Sequence, residues 1–238
     1  MTHYRLILYK VDIQQLSIDD ISKRVILSTT NKETLELNKQ VIMKLPGDIR
    51  MYYSSDSIIT EDSNDVHNYP AEFLHAQTPS GVPPHVLVLK RGAIVMLIRN
   101  LNPKKGLCNG TRMIVRDLHQ RFITCKVVSD SHKGDIVFIP RIDIAPSDSN
   151  LPFILKRRQF PIIPAFAVTI NKSQGQTYDT VGIHLNEPVF GHGQLYVALS
   201  RSRNRQNIKV FMKESANQGR LLGTDAWYTK NVVYKEVF

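Results

Sequence analysis

The sequence predicts an α/β layer interrupted by a small β-barrel. Three observations predict it. A short apolar run, "VILS", leads directly into a long amphipathic pattern near the start of the chain. Short β-rich runs separated by tight turns then fill residues 86–139. After "LPFILKRRQFPIIPAF" the alternation of apolar strand and helix returns. Strands that feed helices belong to α/β layers, whereas crowded short strands suit a small barrel.

In order, residues 1–22 read as an apolar start followed by a polar stretch with the look of a short helix. "VILS" is a short buried strand. "TTNKETLELNKQVIMKLPG" is a helix: Thr30 can cap it, and Glu33 follows at the capping-box spacing. Leu35, Val41, Ile42 and Leu45 would form its apolar face, and Pro46-Gly47 would stop it. Residues 52–70, polar and acidic without helical period, read as an exposed loop or linker. "YPAEFLHAQ" is a short helix, and "TPSGVPPH" is rich in turn-formers. "VLVLKRGAIVMLIRN", "TRMIVRDL", "RFITCKVV" and "DIVFIP" are the barrel strands. "FAVTI" and "VGIHL" are strands, "GQLYVALSRSR" a helix and "IKVF" a last strand. No internal repeat or low-complexity segment is visible.

The 238 residues suffice for one large domain or two small ones with a substantial core. No apolar run approaches the roughly 18 residues that span a bilayer, and the N-terminus lacks a signal-peptide pattern. The expectation is an intracellular protein that meets no membrane. Cys108 and Cys125 lack CxxC spacing, so they suggest free thiols in a reducing compartment rather than a disulfide framework or zinc site. Net charge is +10, and it is uneven: from Lys156 onward twelve Lys/Arg oppose five Asp/Glu, against nineteen and sixteen before it. A basic C-terminal third suits a polyanionic partner, although it also suits plain solubility.

Several chemistries are absent. None of the twelve glycines precedes a lysine, so the phosphate loop G-x-x-x-x-G-K-[ST] is missing. No Asp-Glu pair follows an apolar strand, and neither H-E-x-x-H nor G-x-S-x-G occurs. Two segments remain. "TINKSQGQTYDTVGI" places Thr169, Asn171, Lys172 and Ser173 at a strand end, with Gly175 allowing close backbone approach. It reads as a polar turn or as a phosphate-contacting elbow, since ligands bind at strand C-terminal edges in α/β sheets. In "LYVALSRSRNRQN", Arg203 and Arg205 suit a solvated helix C-terminus. Arg201, directly after the apolar helix, reads either that way or as a guanidinium held for a γ-phosphate.

"FAVTINKSQGQTYDTVGIHL" followed by "GHGQLYVALSRSRNRQNIKV" closely resembles the fifth and sixth helicase motifs of superfamily 1 DNA helicases. More narrowly, it resembles the Pif (petite integration frequency) family and the helicase part of Helitron transposons. "LKRGAIVMLIRNLNPKKGLCNGTRMIV" and "PRIDIAPSDSNLPFILKRRQFPIIPAFAVTINKSQGQT" fit the same group, and "VILSTTNKETLELNKQVIMKLPG" is similar to its fourth motif. The likeness covers roughly residues 24–212.

The resemblance implies the second RecA-like domain of a P-loop NTPase helicase with an inserted small Src-homology-like β-barrel. Its expected parts are an N-terminal remnant or extension at 1–23, the first part of the RecA-like domain at 24–87, the barrel at 88–158, and the second part with a tail at 159–238. It further implies a 5′-to-3′ ATP-dependent DNA helicase in which Arg201 matches the arginine finger. Gln174, Gly175 and Gln176 match the edge that faces ATP, and Thr169, Asn171, Lys172 and Ser173 match the segment touching single-stranded DNA. Asn171 stands where many relatives carry His; it can still bond a phosphate but carries no charge. ATP and Mg2+ would need a first RecA-like domain, absent from this chain, which residues 1–23 cannot replace. The expected chain is therefore the C-terminal half of a helicase, from a truncated gene, a decayed mobile element or a partial gene model. It is expected to be inactive alone, and nuclear rather than mitochondrial. A non-catalytic nucleic-acid-binding module and a functionless remnant are the alternatives. Lys104 and Lys105 read as exposed turn lysines, Asn109-Gly110 as a tight turn, and Trp227 with Tyr228 as a tail packing on the domain.

Overall fold

The computed structural model describes residues 17–60, 69–129, 132–146 and 151–234. The chain divides into two compact units: residues up to Lys44 with those from Ala165 onward, and Leu45–Pro164. Where the sequence placed the insert at 88–158, the compact unit is longer at both ends.

Of the expected 1–23 extension, only its end is described. Helix α1 (Ile18–Ser22) starts at Ser17, whose hydroxyl accepts from Asp20 N at 3.1 Å. Strand β1 (Arg24–Ser28) follows, almost wholly buried. Helix α2 (Asn31–Lys44) begins as expected, with Thr30 Oγ1 accepting from Glu33 N at 3.3 Å. Glu33 does not complete a reciprocal box; its carboxylate instead accepts from the Ser28 hydroxyl and, at 3.4 Å, from Thr29. The buried face of α2 carries Leu37, Asn38, Val41 and Ile42, and Leu35, expected inside, is exposed. Buried Asn38 explains the difference. It donates to Ala167 O at 2.7 Å and accepts from Ala167 N at 2.9 Å, so the helix docks on a backbone edge as well as on apolar side chains.

The second unit is antiparallel. It contains β2 (Arg50–Tyr53), β3 (Ser55–Ile59), α3 (Ala71–Ala76), β4 (Val86–Leu89), β5 (Ile94–Leu97) and β6 (Arg112–Leu118). Then follow β7 (Phe122–Val127), β8 (Ile136–Pro140), β9 (Ile142–Ile144), β10 (Ile154–Gln159) and β11 (Ile162–Pro164). The largest sheet is five-stranded, in the order β11-β5-β6-β7-β8, and smaller sheets have the orders β3-β10-β9 and β2-β4. Among the described residues β8 does not pair with β11, so this sheet is open rather than a closed ring.

Residues 50–59 correct the loop expected from 52 onward. β2 pairs with β4 and β3 with β10. Their polarity misled because the acidic side chain turns inward. Asp56 meets Arg157 of β10, and both side chains are fully buried. Arg157 donates from Nε and Nη2 to the Asp56 carboxylate at 2.9 and 2.6 Å. Its remaining donors reach the carbonyls of Gln77, Pro83 and Leu74 at 2.9–3.0 Å. All five N–H groups of the guanidinium are thereby used, which is what allows a full charge to sit inside the protein.

The first unit resumes with β12 (Ala167–Thr169), β13 (Thr180–Leu185), α4 (Gln194–Leu199), β14 (Ile208–Met212) and the hairpin β15 (Gln218–Arg220)–β16 (Trp227–Thr229). Its main sheet has the order β12-β1-β13-β14 with every neighbour parallel. Trp227 and Tyr228 lie in the hairpin, whose Gln218 donates to Leu185 O at 2.9 Å and Lys213 O at 2.8 Å. Cys108 and Cys125 are free, and full burial pushes the Cys125 thiol up to about 12.

Asp56→Ala should destabilise the second unit by about 3–5 kcal/mol, because it strands a buried guanidinium; chemical denaturation of both proteins checks this. Acid should destabilise the same unit in two ranges. Burial together with the neighbouring His75 lowers the His85 pKa, so its contribution is present above about pH 6.5 and is lost below it. Burial alone would raise the Asp56 pKa, but the Arg157 and Ser54 hydrogen bonds outweigh that and lower it. Its contribution is therefore lost only as pH falls below the usual carboxylate range. Melting temperature against pH should fall in both ranges, and His85→Gln should remove the upper one.

Candidate functional site

A parallel sheet sends all its strand ends, and the loops that leave them, to one edge. Ser28, Thr169 and His184 are level in the ladder, at the ends of β1, β12 and β13. From that edge depart the turn into α2, the 170–176 elbow and the loop into α4.

The elbow is a folded turn. Ile170 N donates to Ser28 O at 3.0 Å, which fixes its base to β1. Residues Asn171–Ser173 then form one turn of 3-10 helix. Gly175, at φ +79°, reverses the chain, a conformation in which a Cβ is disfavoured. Asn171, Lys172, Gln174 and Gly175 are exposed, while Thr169 and Gln176 are half-buried. Lys172 has a solvent-accessible side chain, yet the crowding around its ammonium lowers its pKa by desolvation. The exposure of the side chain decides its use: it can meet an external anion. Ser173, expected to touch DNA, is corrected. It is fully buried, with its hydroxyl donating to Ile170 O at 2.6 Å, so it stabilises the turn and presents nothing to solvent.

Two side chains from α4 and its end hold the elbow. Arg201, half-buried, donates from Nε to Val197 O at 2.9 Å and from Nη1 to Ser173 O at 3.3 Å and Gln176 O at 2.9 Å. Its Nη2 donates to Ser200 Oγ at 2.8 Å and retains one further N–H. In return, Arg201 O accepts from Tyr178 N at 2.9 Å, and the Tyr178 hydroxyl bonds Gln176 Oε1. Gln194 is the other tie, one the sequence reading missed. It is buried, accepts from Phe190 N and Gly191 N at 3.1 and 3.4 Å, and donates to Asn171 Oδ1 at 3.3 Å. It stands at the first position of an apolar helix, where a single polar residue makes no pattern in the sequence. The expected helix itself is shorter, ending at Leu199, which leaves Arg201 just beyond it.

The donors of this edge suit one side of a polyphosphate: the exposed side chains of Lys172 and Gln174, and the one N–H that the Arg201 guanidinium retains beside them. It does not suit Mg2+, since Glu33, the carboxylate at the start of α2, is engaged by Ser28 and Thr29. In the other unit, Asp56, His75 and His85 bring ligand atoms within 4.8 Å of one another. Arg157 occupies that carboxylate, and its positive charge opposes a cation there.

Known proteins resemble this chain over most of its length. The family model described as "DNA helicase Pif1, 2B domain" matches residues 72–118, from α3 to the end of β6. The ATP-dependent DNA helicase PIF1 of Homo sapiens is 34% identical over 191 residues, covering 77% of this chain and 26% of that protein. The chain is homologous to part of the Pif1 DNA helicases. A solved Pif1 helicase from Candida albicans superposes with a TM-score of 0.61 at 27% identity, over 79% of this chain and 44% of that one. The Bacteroides Pif1 helicase in complex with ADP-AlF3 and single-stranded DNA gives 0.56 at 26% identity, over 82% and 46%. This chain thus shares the RecA-like helicase fold of the Pif1 proteins and spans about a quarter of the length of the curated relatives it matches. No helix among the described residues is long and apolar enough to cross a membrane.

Gln194→Ala should cost about 1–3 kcal/mol, because two part-buried backbone N–H groups lose their acceptor. Gly175→Ala should cost about 1–2 kcal/mol through backbone strain, since nothing lies within 4 Å of a Cβ placed there. Thermal unfolding of each variant measures both.

Proposed function

We propose that this chain is the segment of a 5′-to-3′ ATP-dependent DNA helicase that grips single-stranded DNA and completes the nucleotide site from outside. One observation carries the reading: a single guanidinium, Arg201, holds the backbone of an exposed, cationic elbow from the end of α4. Support also comes from the Pif1 relatives, named as ATP-dependent DNA helicases, and from a neighbour holding ADP-AlF3 and single-stranded DNA together.

In this reading Thr169, Asn171 and Lys172 contact the DNA backbone. Such contacts fix register without reading bases, so substrate preference is loose. Gln174, Gly175 and Gln176 face the nucleotide, and Arg201 is the arginine finger. ATP supplies the phosphoryl group whose transfer releases the driving energy. A first RecA-like domain supplies the phosphate cradle and the carboxylate that holds Mg2+. Leu45–Pro164 serves as the small β-rich insert. Charge build-up at the γ-phosphate draws on Arg201, and the guanidinium that moves is the one bonded to Ser173 O and Gln176 O. A change in the nucleotide is thereby felt at the DNA-facing elbow.

The test combines anisotropy of a labelled single-stranded oligonucleotide at two salt concentrations with an ATPase assay, with and without a supplied first domain. The expected result is salt-sensitive binding whose slope falls by about one on Lys172→Ala. Turnover should appear only with the added domain and drop about 10³-fold or more on Arg201→Ala. Turnover by the chain alone, lost on Arg201→Ala, would overturn the division of labour. Absence of binding at low salt would overturn the DNA grip.

A further inference from the structure

The outer face of β7 and β8 carries apolar side chains that the fold leaves uncovered. Cross-strand partners share a face of the sheet, so Phe122 with Pro140, Thr124 with Phe138, and Lys126 with Ile136 form one surface. Phe138 is 62% exposed, Ile136 53% and Phe122 37%. The residues between them, Ile123, Cys125, Val137 and Ile139, point into the core, so the strands are held from behind and the aromatic rings contribute little to that packing.

The rings are arranged rather than scattered. His119 stacks on Phe122 at 4.4 Å between centroids, with 29° between planes. Phe122 meets Phe138 nearly edge to face, at 5.6 Å and 84°. That geometry satisfies one face or edge of each ring and leaves the exposed Phe138 open to a further planar partner. The rim is cationic: Arg121 and Lys133 are exposed and Lys126 is half-buried on the face itself. Of the described acidic residues nearest in the ladder, Asp117 is paired with Arg91 at 3.2 Å and Asp135 meets the His132 ring at 3.3 Å, which leaves the rim with more cations than anions.

We infer that the β7–β8 face is a stacking platform for the bases of a single-stranded nucleic acid, separate from the elbow. Aromatic rings receive bases of any sequence, and flanking lysine and arginine track the phosphates; the two together distinguish such a surface from an apolar protein contact. Charge complementarity selects the occupant, because a protein partner for this rim would have to be acidic and apolar at once. The surface belongs to Leu45–Pro164, and the inference does not depend on Arg201 or on ATP.

The test uses the full chain and an oligothymidine carrying a single 2-aminopurine. Phe138→Ala should weaken binding about ten-fold and abolish the fluorescence change that stacking causes. Phe138→Tyr should retain both, whereas Phe138→Leu, which keeps apolar bulk without a ring, should behave like alanine. Lys126→Ala should reduce the salt slope. Repeating the comparison in a Lys172→Ala background separates the surfaces: the Phe138 effect persists there even if the elbow proves silent. Far-UV circular dichroism and melting temperature, unchanged for a side chain this exposed, establish that each variant is folded. Equal affinity and equal fluorescence for Phe138→Ala and the parent would overturn the inference. So would a parent dimer that Phe138→Ala converts to monomer, which would make the face a contact between copies.

Discussion

Burying a guanidinium is tolerable only when every donor finds an acceptor, and that constraint organises the second unit. Arg157 on β10 draws Asp56 on β3 inward and collects carbonyls from Leu74, Gln77 and Pro83. Those acceptors come from β3, from α3 and from the turn-rich segment after it. None of these short pieces has enough apolar surface to place itself. Leu74, Phe153 and Leu155 make a small core cluster beside them, and the fixed geometry of a planar fork sets the register that so small a cluster leaves loose. The stacked His75 and His85, 3.7 Å apart, complete the same neighbourhood, which is why its protonation chemistry and its packing are inseparable.

The first unit relies on the opposite arrangement. Its parallel sheet is apolar, and its polar ties lie at the rim, where Gln194 and Arg201 hold the elbow. A short turn bearing exposed amides and an ammonium would otherwise sample many shapes. Hydrogen bonds from two sides give it one. The cost is that Arg201 has given four of its five N–H groups to Val197 O, Ser173 O, Gln176 O and Ser200 Oγ, so an anion that needs more than the one left on Nη2 competes with the elbow. Shape at the elbow and charge at the strand edge thus draw on one side chain.

Legibility followed periodicity. β1, α2, β12, β13 and β14 were visible because apolar runs and a cap define them locally, and the β-rich stretch from 86 was visible for the same reason. What sequence did not reveal depended on partners distant in the chain. β3 reads as a loop because Asp56 has no local reason to be buried; its reason is Arg157. Leu35 looked like core by spacing, but Asn38 rotates the helix face toward Ala167. Ser173 looked like a phosphate ligand by type, and only the turn shows its hydroxyl spent on Ile170 O. The elbow and Arg201 were found by pattern, whereas Gln194 was not, since a lone glutamine at a helix start carries no pattern. The aromatic face on β7 and β8 was hidden because strand alternation alone does not say which side another layer covers.

The interruption of the parallel sheet also sets an order of events. Leu27 pairs with Val168 and Ile183, so β1 emerges from synthesis long before either neighbour exists. Leu45–Pro164, whose strand pairs all close within itself, can complete its own ladders during that interval. Until residues beyond 165 arrive, β1 is an apolar strand with two bare edges, the kind of segment that seeks any available partner. Closing the sheet is a late, long-range step, and the chain's greatest exposure to misassembly falls in the time between finishing the insert and threading β12 alongside β1.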